Sequence, residues 1–261
     1  MPQPVITLTT DFGLTDHYVA AMKGVILGVC PRARIVDICH EVGAFDIVEG
    51  AYTIAQAYAF FPPKTVHVVV VDPGVGSARR PILMEAAGQF FVAPDNGVLS
   101  MIYAREQHRI RLISQARFFR QPVSPTFHGR DIFAPVAAHL AAGAAASRIG
   151  RAISDYLPAL QLTERTGRRT WTGRILKIDR FGNLITSFHS SEFPDLEQRD
   201  FTLLAGGHKI ETMAEHYAAA PAGELVVVVG SGGYLEISLN QGPASQRIAC
   251  RTGAAVELKF R

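Results

Sequence analysis

Cysteine, long hydrophobic runs and excess charge are all scarce in this sequence of 261 residues. The three cysteines, Cys30, Cys39 and Cys250, show no CxxC spacing, so we expect free thiols in a reducing compartment rather than disulfides. No apolar run reaches the roughly 18 residues that a membrane-spanning helix needs. The first residues also lack the basic and apolar regions of a signal peptide. Together these absences predict a cytoplasmic protein that does not contact a membrane.

The charge balance and the histidine pattern argue against two further classes. Lys and Arg number 26 and Asp and Glu 23, and the net charge of +3 leaves little basic surface for nucleic acid. The nine histidines form no HxH or HExxH pattern, and none is paired with a cysteine at metal-site spacing, so we expect no metal site. With 48% hydrophobic and 19% charged residues, the composition is that of a globular protein with a sizeable core.

The hydrophobic pattern changes a little past the middle of the chain. Up to about residue 145, strand-like and helix-like segments alternate, which predicts an α/β domain with a mostly parallel sheet sandwiched by helices. Within it, strands at 82–86 and 90–93 flank Gly88 as a hairpin. From Trp171 onward, short β runs follow one another without strong helix signals, which predicts a smaller all-β, barrel-like domain. The predicted division is an α/β domain over 1–148, a linker over 149–170 and a β domain over 171–261.

Asp72 has the most informative position of any residue in the sequence. It follows the predicted strand 65–71, which contains four consecutive valines and is apolar enough to be buried. Ligands of open α/β sheets bind at the carboxyl ends of the strands, where Asp72 lies. Arg79 and Arg80 follow one loop later, so the carboxylate either faces a ligand or forms a salt bridge that holds the turn. The glycines between them lack the lysine of a phosphate-binding loop.

Polar residues also mark two other junctions of the α/β domain. Asp11 follows the first strand, where a carboxylate accepts hydrogen bonds from a ribose or caps the next helix. His128 precedes a helix, with Gly129 beside it to allow close approach of a ligand and Asp131 expected as the helix cap. A helix N-terminus favours the neutral form of a histidine. Both Asp11 and His128 have a purely structural alternative that the spacing alone leaves open.

The β domain contains two glycine-rich loops with polar or aromatic residues. In the first loop, Asn183 offers an amide that can pair with an adenine edge, and Phe181 offers a ring that can stack on it. In the second loop, residues 230–236, exposed backbone N–H groups can hold a carboxylate or a base edge. Ordinary turns are the alternative for both loops, because Gly and Asn favour turns.

Six stretches of the sequence resemble, in order and over nearly the whole chain, the motifs of one family. The motifs are TTDFG at 9–13, VDPGVG at 71–76 followed by Arg79, APDNG at 93–97, FHGRDIFAP at 127–135, DRFGN at 179–183 and SGGYLEI at 231–237. The family is that of the S-adenosyl-L-methionine (SAM) hydroxide adenosyltransferases, which are related to the SAM-dependent fluorinase and chlorinase. Six ordered motifs are far more specific than any one of them.

The resemblance implies hydrolysis of SAM to adenosine and L-methionine without a cofactor. Asp72, Arg79 and His128 are implied as the catalytic triad that handles the attacking water. Asp11 is implied to hold the ribose hydroxyls, and Asp179 the methionine ammonium. The other residues implied at the substrate are Tyr18, Phe45, Asn96, Phe127, Gly129, Phe181, Asn183, Ser231, Tyr234 and Glu236.

The resemblance also implies a homotrimer, with each site between the N-terminal domain of one subunit and the C-terminal domain of its neighbour. Asp72 stands where the halogenases have a tyrosine, and Gly129 stands where the fluorinase has a serine, which favours water over halide. Gly232 and Leu239 replace arginines of the fluorinase. The alternatives are a SAM-dependent halogenase that forms 5′-chloro-5′-deoxyadenosine, a non-catalytic adenosine- or SAM-binding protein, and an unrelated α/β hydrolase. The last alternative is disfavoured because this sequence contains no G-x-S-x-G motif, which α/β hydrolases use to carry their nucleophile.

Overall fold

The structure, a computed structural model, describes residues 3–261, and the chain divides after residue 160 into two compact units. The first unit contains a seven-stranded sheet with the order β2-β1-β3-β5-β4-β6-β7. Its strands are β1 Val5–Thr10, β2 Arg34–Cys39, β3 Val66–Val70, β4 Pro81–Ala86, β5 Gln89–Pro94, β6 His108–Leu112 and β7 Ala152–Ile153.

The sheet of the first unit has a parallel half and an antiparallel half. β2, β1, β3 and β5 run parallel, whereas β4, β6 and β7 pair antiparallel. The direction reverses at the hairpin between β4 and β5, where Ala87 and Gly88 have φ angles of 51° and 71°. Two consecutive residues with positive φ form the turn that matches the twist of paired strands. The α/β fold class is confirmed, and the predicted hairpin is the reason that only part of the sheet is parallel.

Helices pack on this sheet. They are α1 Tyr18–Val29, α2 Ile47–Ala57, α3 Ser100–Tyr103, α4 Ala134–Ala141 and α5 Ala146–Ile149. α1 and α2 return the chain from the carboxyl ends of β1 and β2 to the start of the next parallel strand. Met22 of α1 and Val136 of α4 belong to the same buried cluster as Val68 of β3. α2 begins where the Asp46 side chain accepts the backbone N–H of Glu49 at 2.9 Å, which satisfies one of the free donors of a helix start. A π-helical turn, Gly129–Phe133, leads into α4.

A small polar network is buried in the parallel half of the sheet. His67 on β3 is fully buried, with Nδ1 2.7 Å from Thr7 Oγ1 and Nε2 3.2 Å from Gln89 Oε1. Its ring stacks on Phe91 with the ring centroids 4.8 Å apart. Burial lowers the pKa of His67 to about 4. The histidine is accommodated because both ring nitrogens have partners while it remains neutral.

Two short strands lie in the stretch 149–170 that was predicted as a linker. Ile153 of β7 pairs with Ile110 of β6 in the first unit. In the second unit, β8 Glu164–Gly167 pairs with β9 Thr170–Ile178. The longest part of this stretch that is neither helix nor strand is residues 154–163. Strands of two to four residues are too short to produce a recognisable hydrophobic period.

The second unit, residues 161–261, is an antiparallel sheet with the order β12-β11-β15-β9-β10-β14-β13, with β8 beside β9. Its further elements are β10 Leu184–His189, β11 Phe201–Ala205, β12 His208–Ile210, β13 Leu225–Val229, β14 Tyr234–Leu239, the short helix α6 Ala244–Ile248 and β15 Ala255–Phe260. The sheet nearly closes, because Ala214 N donates to Val227 O and Val227 N donates to Thr212 O, each at 2.9 Å. The predicted all-β, barrel-like domain is confirmed. Across residues 3–261, no helix has both the length and the apolar character that a membrane crossing requires.

Candidate active site

Asp11 and Asp72 emerge at the same edge of the first unit's sheet. Asp11 directly follows β1, and Asp72 follows β3 after one further residue. β1 and β3 are parallel neighbours with Thr10 opposite Val70, so both carboxylates lie at the carboxyl ends of their strands. Burial raises the pKa of Asp11, and the charge of Asp72 acts in the same direction as a smaller cause.

Asp72 and Arg79 form a buried, bidentate ion pair. Arg79 Nε donates to Asp72 Oδ1 at 2.9 Å, and Arg79 Nη2 donates to Asp72 Oδ2. Only 4% of the Asp72 side chain and 9% of the Arg79 side chain are exposed. The guanidinium also lies over the ring of Phe133, 5.2 Å from its centroid. Two parallel N–H···O bonds fix the orientation of the guanidinium as well as its position.

The turn between these two residues places Arg79 against Asp72. Val75 N donates to Asp72 O at 3.2 Å, and Ser77 Oγ donates to Gly74 O at 2.6 Å while accepting Arg79 N at 3.2 Å. Arg80, which the sequence also placed near Asp72, lies elsewhere. Its guanidinium pairs with Asp95 at 2.8 Å and Asp155 at 2.9 Å. The structural alternative for Asp72 is therefore also realised, because the carboxylate does form a salt bridge that holds the turn.

His128 completes this cluster from a distant part of the chain. Arg79 Nη2 lies 2.8 Å from His128 Nδ1. Because a guanidinium only donates, Nδ1 is the acceptor, and the proton of the neutral ring is on Nε2. Burial lowers the pKa of His128, and the charge of Arg79 lowers it further. The structure thus brings Asp72, Arg79 and His128 together, with Arg79 in the middle.

One nitrogen of the cluster has no partner. Arg79 Nη1 is buried and makes no hydrogen bond within the described residues 3–261. An unpaired buried donor is costly, and such donors at a sheet's ligand edge are candidates for contact with a bound molecule. Nη1 is therefore a buried donor of this cluster that can bind a further oxygen atom.

Asp131 does not act as the helix cap that the sequence predicted. It lies within the π-helical turn, its side chain is fully buried, and its carboxylate accepts Arg130 Nε at 2.7 Å and Ser124 N at 2.9 Å. Arg120 Nη1 lies 3.2 Å from the same carboxylate. Burial alone raises the pKa of Asp131, but the hydrogen bonds from Arg130 and Ser124 outweigh it and leave the pKa lowered. The residue joins the segment before His128 to the helix that follows.

The backbone around Phe45 contacts the Asp11 carboxylate. Phe45 N donates to Asp11 Oδ2 at 2.9 Å, and the Phe45 backbone has a φ of 65°. A left-handed conformation is uncommon for a residue with a bulky side chain. The Phe45 ring points away from the core and is 68% exposed. Asp11 therefore has one oxygen held by the backbone of a residue whose aromatic ring is exposed.

Two aromatic side chains pack around Phe127, the residue that precedes His128. Tyr18 and Phe127 pack edge to face with centroids 5.1 Å apart, and Phe12 lies 6.1 Å from Phe127. Gly129 is buried against this group, since a Cβ there would lie 3.4 Å from the Phe12 ring and 3.3 Å from Met22 Sδ. The small size of Gly129 is thus used for packing inside the unit, which the sequence did not predict.

Asn96 uses both ends of its amide within the protein. Its Nδ2 donates to Val71 O at 2.8 Å, and its Oδ1 accepts Val98 N at 3.1 Å. These bonds tie the turn after β5 to the end of β3, one residue before Asp72. The geometry makes Asn96 a brace for the strand end.

In the second unit, Asp179 organises the loop that carries Phe181 and Asn183. Asp179 Oδ1 accepts Phe181 N and Asn183 N, both at 2.9 Å, and Oδ2 accepts Asn183 Nδ2 at 2.8 Å. Gly182 has a φ of 86°, and a Cβ there would lie 2.5 Å from Pro243 Cβ, so the loop requires glycine. The loop is an Asx-type turn, the structural alternative from the sequence, and it leaves the Phe181 ring 80% exposed.

The second loop of this unit surrounds a buried carboxyl group. Tyr217 OH donates to Glu236 Oε2 at 3.1 Å, and a Cβ at Gly230 would overlap Glu236 Oε1. Burial raises the pKa of Glu236, and the charge of Asp179 raises it further. Tyr234 is buried, with its ring 4.9 Å from that of His189, while Ser231 is exposed.

A cavity in the second unit has lining residues that the sequence analysis missed. It has a volume of about 360 Å³ and is lined by Met213, Ala214, Glu215 and Val229. Met213, which forms an isolated bridge to Val227, lies where the barrel nearly closes. This segment between β12 and β13 carries no recognisable motif, so nothing in the sequence pointed to it. In neither unit do described residues include a group of three or more His, Cys, Asp or Glu side chains able to hold a metal ion.

Two family models match most of the chain. The SAM hydroxide adenosyltransferase N-terminal domain matches residues 6–150, and the C-terminal domain of the same family matches residues 173–257. These two ranges include the polar clusters of both units described above.

Individual proteins are similar over nearly their whole length. A protein of Salinispora arenicola named (R)-S-adenosyl-L-methionine hydrolase is 36% identical and covers 96% of this chain and 95% of its own. A fluorinase of an Actinoplanes species is 30% identical and covers 97% of this chain and 96% of its own. The crystal structure of an uncharacterized conserved protein from Thermotoga maritima superimposes with a TM-score of 0.88 at 37% identity, covering 97% of this chain and 99% of that one.

Proposed function

Because the chain belongs to the SAM hydroxide adenosyltransferase family, we propose that it hydrolyses SAM to adenosine and L-methionine. The protein is then an enzyme whose substrate is SAM and which uses no cofactor. The observation that carries the proposal is the cluster of Asp72, Arg79 and His128 at the carboxyl edge of the parallel strands, with one free donor on Arg79.

The chemistry of SAM explains why such a cluster is sufficient. The sulfonium makes the C5′ carbon electrophilic and makes methionine a good leaving group. The rate of the displacement is therefore limited by the weak nucleophilicity of water. An in-line displacement requires an oxygen on the side of C5′ opposite the sulfur. Holding the two reacting atoms at near-attack distance contributes on the order of 7–11 kcal/mol in favourable cases. The protein must therefore position a water and favour its deprotonation.

We assign the attacking water to Arg79 Nη1. Nε and Nη2 of this guanidinium are used by Asp72 and His128, whereas the buried Nη1 has no partner among residues 3–261. A water or hydroxide oxygen bound there would satisfy the donor. The positive charge stabilises hydroxide relative to water and so lowers the pKa of the bound water.

His128 and Asp72 are the two candidates to receive the proton. Neutral His128 has its only free lone pair on Nδ1, which accepts from Arg79 Nη2 at 2.8 Å, so it takes a proton only when that bond is given up. Asp72 keeps acceptor capacity beside Arg79, because each carboxylate oxygen has two lone pairs. Either residue lies within hydrogen-bond reach of a molecule that replaces one of these bonds, and the variants below test whether each takes part.

For the substrate, we propose that Asp11 accepts hydrogen bonds from the ribose hydroxyls. Tyr18 and Phe45, which are 40% and 68% exposed, would supply aromatic surface next to it. Phe127 packs edge to face against Tyr18 and so holds its ring in place. Asn96 would act by bracing the end of β3, and Gly129 by allowing Phe12 and Met22 to pack closely. None of these assignments requires a side chain to move out of the core.

In the second unit, we propose that Asp179 and Glu236 favour the methionine ammonium. Burial is the main cause of the raised pKa of Glu236, and the charge of Asp179 adds to it, so a cation near both carboxyl groups would offset both effects. The exposed ring of Phe181 would stack on the adenine, and Asn183, Ser231 and Tyr234 would shape the same end.

We further propose a cytoplasmic homotrimer with the sites at subunit interfaces. Large aromatic side chains gain free energy when a second subunit covers them, and Phe45 and Phe181 are 68% and 80% exposed. The cysteines are free thiols, as a reducing compartment favours. Sedimentation at three times the monomer mass supports this assembly, and a monomeric active enzyme contradicts it.

A SAM-dependent halogenase is the second candidate, because a fluorinase is among the relatives. Asp72 disfavours it, since an ionised carboxylate repels a halide ion and already occupies one side of Arg79. A binding protein without activity is disfavoured by the complete Asp72–Arg79–His128 cluster, which such a protein would have no need to keep.

The test is product analysis with the purified protein. SAM should be converted to adenosine and methionine, and 5′-chloro-5′-deoxyadenosine should be absent even at high chloride concentration. Asp72→Asn and His128→Ala should each lower kcat by roughly 100-fold or more if both residues take part in proton transfer. Lys259→Ala, which removes a surface ion pair with Glu257 in the second unit, is the matched control and should leave kcat unchanged. Full activity in both site variants would refute the triad.

A further inference from the structure

A second histidine network lies directly behind Asp11 and has no part in the proposed reaction. His40 follows β2 and is buried, with Nδ1 2.8 Å from Thr10 Oγ1 and Nε2 3.1 Å from Asp37 Oδ1. Asp37 in turn accepts Lys23 Nζ at 2.6 Å on the surface. Thr10 is the last residue of β1 and is fully buried. We call Thr10, His40 and Asp37 the Thr10–His40 network.

His40 Nε2 lies at ion-pair distance from Asp37 Oδ1 but outside hydrogen-bond geometry, so the hydrogen bonds of this network run through Nδ1. Nε2 of His40 faces the Asp37 carboxylate, so we assign the ring proton to Nε2 and leave Nδ1 as an acceptor. The hydroxyl of Thr10 then donates to Nδ1. Its oxygen keeps a lone pair, which accepts the backbone N–H of Phe12 at 3.3 Å. The network therefore ends on the backbone of the residue that follows Asp11.

The backbone of His40 fixes the other side of the same turn. Gly13 N donates to His40 O at 2.8 Å, and Gly13 has a φ of 66° that favours glycine. Residues 10–13 are thus held to His40 at both ends, through the Thr10 side chain and through Gly13 N. Asp11 lies between these two attachments, and its carboxylate accepts Phe45 N at 2.9 Å.

We propose that His40 and Thr10 are positioning residues that set the direction of the Asp11 carboxylate towards a vicinal diol. The inference rests on the proposed function, in which Asp11 binds the ribose of the substrate and of adenosine. A carboxylate selects a cis diol only when both hydroxyls meet it at hydrogen-bond distance, so its direction decides the selectivity. Removing the Thr10 hydroxyl leaves Phe12 N without its partner and lets the turn relax.

The experiment compares adenosine with 2′-deoxyadenosine, which lacks one hydroxyl of the diol. Binding of each nucleoside to the full-length protein is measured by isothermal titration calorimetry. In the unsubstituted protein, adenosine should bind roughly 10- to 100-fold more tightly, as expected for a hydrogen bond to a charged group. Thr10→Val, which keeps the shape and removes the hydroxyl, should reduce this ratio to within about threefold of unity, and Thr10→Ser should restore most of it. His40→Phe should behave like Thr10→Val.

The ratio separates positioning from a general loss of structure. A variant that is merely less well folded weakens both nucleosides equally and keeps the ratio, and that result in Thr10→Val and His40→Phe overturns the inference. Lys259→Ala should keep both affinities and the ratio. If the unsubstituted protein does not distinguish the two nucleosides while it does hydrolyse SAM, the role of Asp11 is wrong although the reaction is right. If it binds neither nucleoside and leaves SAM intact, the proposed function itself fails.

Discussion

The buried His67 predicts a specific loss of stability in acid. The folded protein holds His67 neutral, with the pKa lowered to about 4 by burial, whereas the unfolded chain has the ordinary value of 6.5. One pKa unit corresponds to about 1.36 kcal/mol, so the difference corresponds to about 3 kcal/mol of unfolding free energy. Between pH 6.5 and pH 4 the unfolded chain binds a proton that the folded chain excludes. This contribution is therefore complete above pH 6.5, falls as the pH is lowered, and is lost below pH 4.

A variant isolates this effect from the titration of other groups. His67→Phe keeps an aromatic ring beside Phe91 but removes the contacts with Thr7 and Gln89. At pH 7.5 it should be less stable by about 1–3 kcal/mol, because partners of the imidazole are left unpaired. At pH 4.5 the difference from the unsubstituted protein should be smaller by about 2.5 kcal/mol, since the variant has no imidazole to protonate.

The measurement is urea unfolding followed by circular dichroism at a series of pH values. His17→Gln, which replaces an exposed histidine of the same unit, is the control and should show the same pH dependence as the unsubstituted protein. A stability difference for His67→Phe that is the same at pH 7.5 and pH 4.5 would refute the reasoning, because it would mean that the buried imidazole is not kept neutral by folding.

Three further predictions concern the cluster around Arg79. Arg79→Met leaves the Asp72 carboxylate buried without its cation, so urea unfolding should show a loss of about 3–5 kcal/mol, and a loss below about 1 kcal/mol would contradict the buried ion pair. Gly76→Ala places a Cβ 2.4 Å from Pro125 O, whereas Gly88→Ala has a similar positive φ in open space. Gly76→Ala should therefore lower the free energy of unfolding by about 1–3 kcal/mol more than Gly88→Ala. Equal losses would mean that Pro125 does not contact the turn at Gly76. If His128 is the base, its lowered pKa should place the acid limb of kcat/KM below pH 6.5, and a limb above that value would exclude the neutral His128 described here.

The sequence was sufficient to place the two carboxylates and their arginine. Parallel strands end at one edge of a sheet, so Asp11 and Asp72 were each placed at a strand end, and the pairing of β1 with β3 brings the two strand ends side by side. Arg79 follows Asp72 after a tight turn, and so short a loop allowed few positions of Arg79 away from the Asp72 carboxylate. His128 is different, because 49 residues separate it from Arg79 and no spacing rule connects them. Only the resemblance to a family placed it in the cluster.

Other features depended on tertiary contacts that produce no periodic pattern of hydrophobic residues in the sequence. Asp131 looked like a helix cap, but the chain forms a π-helical turn there and buries the carboxylate among arginines. The hairpin around Gly88 was predicted, but the antiparallel pairing of β4 with β6 and of β6 with β7, which completes the antiparallel half of the sheet, was not. The near-closure of the β barrel through Thr212 and Ala214 involves single backbone bonds outside the strands. Such pairings are set by tertiary packing, which overrides local preference.

The most direct test of the central claim is the fate of the oxygen atom. The purified protein is incubated with SAM in water enriched in ¹⁸O, and the adenosine is analysed by mass spectrometry with fragmentation of the ribose. Attack of water at C5′, as assigned to the oxygen held by Arg79, predicts one ¹⁸O atom in the 5′-hydroxyl of adenosine and none in methionine. Adenosine without the label, or a 5′-halogenated nucleoside in its place, would contradict the account.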